Sequence, residues 1–302
     1  MGERLKDKVA IVTGAGRGIG RGVALLMAEE GAKVAVNDLG GGPDGTGASA
    51  SPADDVVAEI RSKGGTAVAN YNSVATAEGG ESIIRAALDS FGRLDILVNN
   101  AGILRDRMVF NMTEDEWDIV LKVHLYGHFY CTKPACVIFR QQRSGRIINI
   151  SSASGLGSMG QANYSAAKEG IVGLTRTVAR DMGRYSVTCN AIRPGAATRL
   201  TMTPELHEAW RRSGRTDLIE EMERQRPEDV APFMVWLATD EAAGINGYDF
   251  SVRGGDIGLY SQPTVIKSIH KDGRWTVDEL SAIVPRTLAV GLADPAQLQR
   301  PQ

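Results

Sequence analysis

The feature that most constrains this chain is its opening. The apolar run Val9-Ala10-Ile11-Val12 leads straight into Thr13-Gly14-Ala15-Gly16-Arg17-Gly18-Ile19-Gly20, and a helical pattern follows from about residue 18 to residue 30. A strand, a glycine turn and a helix in that order form the first unit of a nucleotide-binding parallel sheet. Glycines at 14, 18 and 20 carry no Cβ, so backbone N–H groups can approach a pyrophosphate, and the helix N-terminus favours its charge. A purely structural tight turn would use the same residues. The flanking strand and helix are what favour the dinucleotide.

The same rhythm continues along the chain. Residues 34–36, 67–70, 94–98, 146–150, 187–192 and 248–252 read as strands. Residues 54–63, 83–91, 117–139 and 163–180 read as helices, with Pro134 as a break point in the third. Short strands that are apolar on both faces belong in a buried parallel sheet, and right-handed crossovers then place helices on both sides. The expected fold is therefore α/β, a doubly wound parallel sheet of Rossmann type. It is expected as one domain over residues 1–260, followed by an extension at 261–302.

Three segments depart from the pattern. Residues 40–52 are rich in Gly, Ser, Ala and Pro and read as a flexible loop. Residues 196–226 are polar and partly helical, a candidate substrate lid. Met202, Leu206, Trp210 and Leu218 would line its inner side, and Arg199, Arg211, Arg212 and Arg215 could meet phosphates or form a solvated face with neighbouring glutamates. In the extension, Trp275, Val277, Leu280, Ile283 and Val284 could form one apolar helix face, packed on the core or on a neighbouring subunit.

A net charge of -2 gives no basic field for nucleic acid. The start of the chain lacks the pattern of a secretory leader, and Lys6 stands where a myristoylation signal needs Ser or Thr. No apolar run is long enough to span a bilayer. Cys131, Cys136 and Cys189 show no metal-ligand spacing and read as reduced thiols, so a cytoplasmic protein without a metal is expected.

Asp38 follows the second strand, about twenty residues past the glycine turn. A carboxylate there can accept both hydroxyls of an adenosine ribose and would repel a 2′-phosphate, which favours NAD over NADP. Arg17 argues the other way, since an arginine in the turn can reach a phosphate. Asn99-Asn100-Ala101-Gly102 ends the fourth strand, where asparagines can bond a cofactor or tie two strands together.

Tyr164 and Lys168 stand at i and i+4 on one helix face. An ammonium and an oxidised nicotinamide nearby would lower the phenol pKa from about 10. Tyr164 is then a general base for alcohol oxidation and a general acid for ketone reduction, with Lys168 also holding the nicotinamide ribose. A hydroxyl from Ser151 or Ser152 would orient the substrate oxygen. Tyr-x-x-x-Lys alone is a common accident; its place after the glycine turn, the acid, the asparagines and the serines gives it meaning.

That order resembles the short-chain dehydrogenase/reductase family over nearly all of residues 1–260. The matching residues are the turn from Thr13 to Gly20, Asp38, Asn99 to Gly102, Asn149-Ile150-Ser151-Ser152, Tyr164, Lys168 and Arg193-Pro194-Gly195. The resemblance implies that Ser152 is the catalytic serine, with Ser151 the other possibility. It implies cofactor contacts from Gly14, Arg17, Gly18, Ile19, Asp38, Ser73, Val74, Asn100, Ala101, Gly102, Tyr164, Lys168, Pro194 and Thr198. It also implies a homodimer or homotetramer built on the two long helices.

One departure is informative. The family carries an asparagine for a water-mediated proton relay where this chain has His124, which either relays protons or is structural. With that histidine, Val36 to Gly41, Ile103 to Arg107 and Gly160 to Lys168 resemble the dehydrogenase units of peroxisomal multifunctional enzymes of type 2. This implies oxidation of a 3-hydroxyacyl-CoA with NAD. The chain ends in Arg300-Pro301-Gln302 rather than a peroxisomal tripeptide, as expected of a free-standing bacterial relative. Competing readings are a hydroxysteroid dehydrogenase acting on a steroid-like alcohol, a 3-oxoacyl carrier-protein reductase, and a non-catalytic dinucleotide-binding regulator.

Overall fold

A computed structural model describes residues 2–202, 208, 210–212 and 214–294. Its strands are β1 (Val9–Thr13), β2 (Lys33–Asn37), β3 (Thr66–Asn70), β4 (Ile96–Asn99), β5 (Gly145–Ile150), β6 (Val187–Gly195), β7 (Asp249–Arg253) and β8 (Asp256–Leu259). Among the described residues they form one sheet in the order β3-β2-β1-β4-β5-β6-β7-β8. All neighbours are parallel except β7 and β8. The chain reverses direction across the sheet between β1 and β4, and the C-terminal ends of the strands flanking that point form the usual ligand crevice of such folds.

Burial on both faces explains why the strands are mostly apolar. Ala10 and Val12 of β1 point to one side, against Val23 and Met27 of α1 (Gly18–Glu29) and Val56 and Ile60 of α2 (Ser51–Ser62). Val9 and Ile11 point to the other side, against Ile83 and Ala87 of α3 (Ala77–Phe91). Each such side chain taken fully out of water contributes about 1.5–3 kcal/mol.

The long helix expected over 117–139 differs from the expectation in where it is interrupted. It begins at α4 (Glu114–Leu121), whose N-terminus has a capping box between Thr113 and Glu116. A π-helical turn, Lys122–Tyr126, then leads into α5 (Gly127–Gln142), which runs unbroken through Pro134. The proline removes the N–H that would bond the Tyr130 carbonyl. Gly80 of α3 approaches that carbonyl closely: an ideal Cβ on Gly80 would lie 2.7 Å from it. The proline is thus accommodated at a helix crossing, and the irregularity lies about two to three turns earlier.

Two further differences concern loops. The segment expected to be a flexible loop at 40–52 is tied down: Leu104 N–H donates to the Pro43 carbonyl (3.0 Å), and Arg105 Nε donates to the Asp44 carbonyl (2.7 Å). Strand β8 was not expected. It closes a hairpin in which Arg253 pairs with Asp256 across Gly254-Gly255, a two-residue loop suited to positive φ. α6 (Ala162–Met182) follows β5 and carries Tyr164 and Lys168.

The chain divides into a compact unit up to Tyr260 and a second one from Ser261. In the second, α7 (Val277–Ile283) is capped by a Thr276–Glu279 box, and none of the described residues is fully buried. Val277 is exposed, so the expected apolar face is only partly covered. Among the described residues, no helix is long and apolar enough to cross a membrane.

Candidate active site

A cavity of about 1160 Å³ opens at the C-terminal ends of β1, β2, β4, β5 and β6. The cofactor contacts implied by the resemblance, from Gly14 to Thr198, line it together with Ser152, Tyr164, Lys168 and His124, whereas Gly20 and Asn99 do not. Gly14 and Gly18 hold φ of 62° and 55°, the left-handed region that glycine enters freely. An ideal Cβ on Gly20 would lie 2.3 Å from the Gly14 carbonyl oxygen, so that glycine is a packing requirement. At the start of α1, Arg17 gives no side-chain cap and the first turn holds no acid. Its free N–H donors therefore suit an external anion, and these residues fit a dinucleotide pyrophosphate.

The asparagines serve the protein's own framework. Asn100 Nδ2 donates to the carbonyls of Thr13 (2.9 Å) and Gly14 (3.0 Å), stapling the end of β4 to the glycine turn. Asn99 Nδ2 donates to Thr132 Oγ1 (3.0 Å) and Asn149 Oδ1 (2.9 Å). Gly102 faces an imidazole: an ideal Cβ there would stand 2.5 Å from His124 Cε1.

Asp38 is buried at the end of β2. Its Oδ2 accepts from Gly16 N–H and its Oδ1 from Gly40 N–H, both at 2.7 Å. Each oxygen keeps a further lone pair, enough for two ribose hydroxyls. Gly16 was not singled out from the sequence, though it lies in the same turn; its role needs the fold to bring residue 38 beside it. Arg199 reaches over this end of the cavity and donates to the Gly41 carbonyl (2.8 Å). The Arg17 and Asp38 charges act on it in opposite directions, and burial with Arg17 holds its pKa below the usual guanidinium range. Of the four lid arginines named from the sequence, Arg199 alone lines the cavity. Arg212 pairs with Glu208, and Arg211 and Arg215 are exposed. Met202 lines the cavity, Leu206 lies outside the described residues, and Trp210 is half-buried.

The serine pair separates clearly. Ser151 is buried, and its hydroxyl donates to the Lys168 carbonyl (2.8 Å). Ser152 is half-buried, accepts from Ser154 N–H (3.1 Å) and faces the Tyr164 phenol, whose ionised form it favours. Lys168 is buried; its Nζ donates to the Ile150 carbonyl (2.6 Å) and stands 5.4 Å from the Tyr164 ring centroid.

The expectation of a lowered tyrosine pKa is corrected for the protein by itself. Burial pushes Tyr164 up to about 12, the Asp106 charge adds to this, and Ser152 opposes it. Burial likewise pushes Lys168 down to about 7. Desolvation favours the neutral form of both groups, an effect that the i, i+4 spacing does not reveal.

His124 sits in the π-helical turn and is 1% exposed. Its Nε2 stands 2.8 Å from the Ile103 carbonyl, and its ring meets the Tyr164 ring edge-on with centroids 5.1 Å apart. Burial, with Lys168 nearby, holds it neutral. Its Nδ1 is buried without a protein hydrogen-bond partner. Among the described residues, no group of three or more His, Cys, Asp or Glu side chains is placed to hold a metal ion.

The doubly wound sheet, with its cavity at the strand C-termini, is of the class whose folds bind dinucleotides there. The family described as short chain dehydrogenase matches residues 8–209, and the chain belongs to that family. It is 49% identical over 258 residues to peroxisomal multifunctional enzyme type 2 of Mus musculus, covering 84% of this chain and 33% of that protein. It is 41% identical over 300 residues to a hydroxyacyl-CoA dehydrogenase of Mycobacterium tuberculosis, covering 92% and 87%. The crystal structure of a short chain dehydrogenase from Mycobacterium avium superposes with a TM-score of 0.81 at 44% identity, over 95% of this chain and 96% of that one.

Proposed function

We propose that this protein oxidises the hydroxyl of a 3-hydroxyacyl-CoA to a ketone, reversibly, with NAD. The observation that carries the reading is one cavity wall on which Ser152, Tyr164 and Lys168 stand together, continuous with the glycine turn and Asp38. The cavity exceeds the roughly 300–1,000 Å³ usual for a single small ligand. The substrate class is supported by likeness to the two relatives above, one of which the chain matches over only a third of its length.

The nicotinamide, when bound, supplies the hydride acceptor and a positive charge. Ser152 Oγ donates a hydrogen bond to the substrate oxygen and holds it at Tyr164. Tyr164 Oη takes the hydroxyl proton as the carbonyl forms, and returns it in the reverse direction. A phenol held near 12 by burial is a poor base at neutral pH, so positive charge in the site is what brings it into range. Lys168 holds the ribose next to the nicotinamide. His124, neutral and anchored to Ile103, seats its ring edge-on against Tyr164, and a proton relay through it requires its buried Nδ1 to open to water. Asp38 accepts the adenosine ribose hydroxyls and selects NAD. Exposed Tyr126, Phe129 and Val137 on the α4–α5 rod support association into a homo-oligomer through the long helices.

A second reading is NADP-dependent reduction of a 3-oxoacyl group on a carrier protein. The presence of Arg17 and Arg199 beside Asp38 favours it. Both are tested by assaying hydroxyacyl-CoA and hydroxysteroid panels with NAD and NADP, alongside Tyr164→Phe. The expected outcome is turnover of hydroxyacyl-CoA with higher kcat/KM for NAD. Tyr164→Phe is expected to lose about 10²–10⁴-fold in kcat while still binding cofactor. Wild-type turnover by that variant would remove the acid–base assignment.

A further inference from the structure

We propose that Arg193 is a positioning residue of the active site. From within the sheet it fixes the backbone of Ser152 and the turn of α6 next to Lys168, and so sets how the serine hydroxyl meets the Tyr164 phenol. This rests on the roles given above to Ser152, Tyr164 and Lys168.

Arg193 lies on β6, one residue past the register pair Ile150–Ile192, so its backbone is level with the serine pair. Its side chain is 2% exposed, and all three of its nitrogens are used. Nε donates to Asp249 Oδ2 of β7 (2.7 Å), Nη2 to Glu169 Oε2 of α6 (2.8 Å), and Nη1 to the Ser152 carbonyl (2.9 Å). The Tyr260 ring covers the guanidinium at 4.9 Å.

The pair with Asp249 would by itself neutralise the buried charge, though not occupy its other N–H donors. The other two bonds go instead to the two segments that carry the reacting groups. The Ser152 carbonyl also accepts from Gly155 N–H (3.0 Å), and an ideal Cβ on Gly155 would lie 3.0 Å from both Arg193 Nη1 and Glu169 Oε2. The turn after the serine is thus packed directly on the guanidinium. Ser151 reaches the same stretch of α6 separately, through the Lys168 carbonyl (2.8 Å). Adjacent serines are thereby tied to adjacent residues of α6, one of them by way of Arg193. A planar fork can span Asp249, Glu169 and Ser152 at once; an ammonium, a single point charge, cannot.

The test uses the full chain with Arg193→Lys, and with Arg193→Met/Asp249→Asn, which removes both buried charges together so that neither is left unpaired. Thermal unfolding by circular dichroism, cofactor affinity by fluorescence, kcat and KM, and the phenolate titration of Tyr164 with oxidised cofactor bound, by ultraviolet difference spectra against a Tyr164→Phe background, are measured. Both variants are expected to fold and to bind cofactor as wild type does. Their kcat is expected to fall roughly 10- to 100-fold with little change in KM, the scale for misplacing a reacting group. The Tyr164 titration is expected to move to higher pH as Ser152 support is lost. Unchanged kcat or an unmoved phenolate titration in a folded variant overturns the proposal. So does a fall in kcat that merely tracks lost folding or lost cofactor binding in both variants. Should wild type oxidise no secondary alcohol, the functional reading fails, and the phenolate titration of Arg193→Lys still decides the positioning role.

Discussion

Replacing Lys168 with methionine is expected to make the cofactor-free protein more stable at neutral pH while abolishing turnover. Burial depresses the amine from its ordinary 10.5 to about 7. At about 1.36 kcal/mol for each unit, forcing a proton onto it in the folded state costs about 5 kcal/mol relative to the unfolded chain. That cost is fully present below pH 7, where both states are protonated. It is relieved as pH rises from about 7 to 10.5, because the unfolded chain then holds a proton that the folded one lacks. Methionine removes the cost and fills similar space, but leaves the Ile150 carbonyl without the donor now at 2.6 Å, a loss of about 1–3 kcal/mol. The net gain is about 2–4 kcal/mol at pH 7. It is expected to shrink with rising pH and reverse between about pH 8.5 and 10, where the neutral lysine still donates its hydrogen bond. Urea unfolding of both proteins at equal concentration, at pH 7 and pH 10, reads the difference directly, and Tyr164 and the cysteines cancel in it. A variant less stable than wild type at pH 7, with a gap that does not change with pH, would refute the reasoning.

Gly102→Ala is expected to cost about 1–3 kcal/mol by overpacking, since its Cβ would press on a His124 ring already anchored to Ile103. Denaturant midpoints check this, and wild-type stability would show that the ring can retreat. Asp38→Ser is expected to shift the NAD to NADP preference by about 10- to 100-fold toward NADP, the worth of a charge-assisted hydrogen bond or two. Steady-state kinetics with both cofactors measure it. Ser152→Ala is expected to reduce kcat by about 100-fold or more. Ser151→Ala, which loses only a hydroxyl bonded to the Lys168 carbonyl, is expected to cost about 1 kcal/mol of stability with kcat little changed. Equal kinetic losses would contradict that division of roles.

The sheet was legible because its signals are local. Residues 9–20 carry strand, turn and helix start within twelve positions, and strands buried on both faces are apolar at most positions. The cavity lining was legible for the same reason: parallel strands bring their C-terminal ends together whatever the loops between them do. The rest depends on distance in sequence or on desolvation. Nothing local announces that Gly16 meets Asp38, that Gly102 makes room for His124, or that Arg199 reaches Gly41. The i, i+4 pair indicates that Tyr164 and Lys168 share a face but gives no measure of burial, which reverses the expected direction of the tyrosine. The β8 strand had its signal in Gly254-Gly255, a hairpin dipeptide whose flanking residues look too polar for a strand. The division between Ser151 and Ser152 needed the side-chain contacts themselves.

The π-helical turn at Lys122–Tyr126 means that the rod from Glu114 to Gln142 holds one residue more than a uniform α-helix of the same reach would. The wide turn absorbs that residue, so the helix beyond it keeps its facing while its sequence pattern is offset by about 100° on a uniform helical projection. The apolar stripe of α4 and that of α5 are therefore two stripes out of step, and His124 stands at the seam between them, turned toward Tyr164. Excising a single residue from the turn would restore a uniform helix that still seats Cys131, Ala135 and Phe139 of α5 on the sheet, but would remove the wide turn that aims His124. The aim of one imidazole thus depends on an extra residue that the seating of α5 does not need.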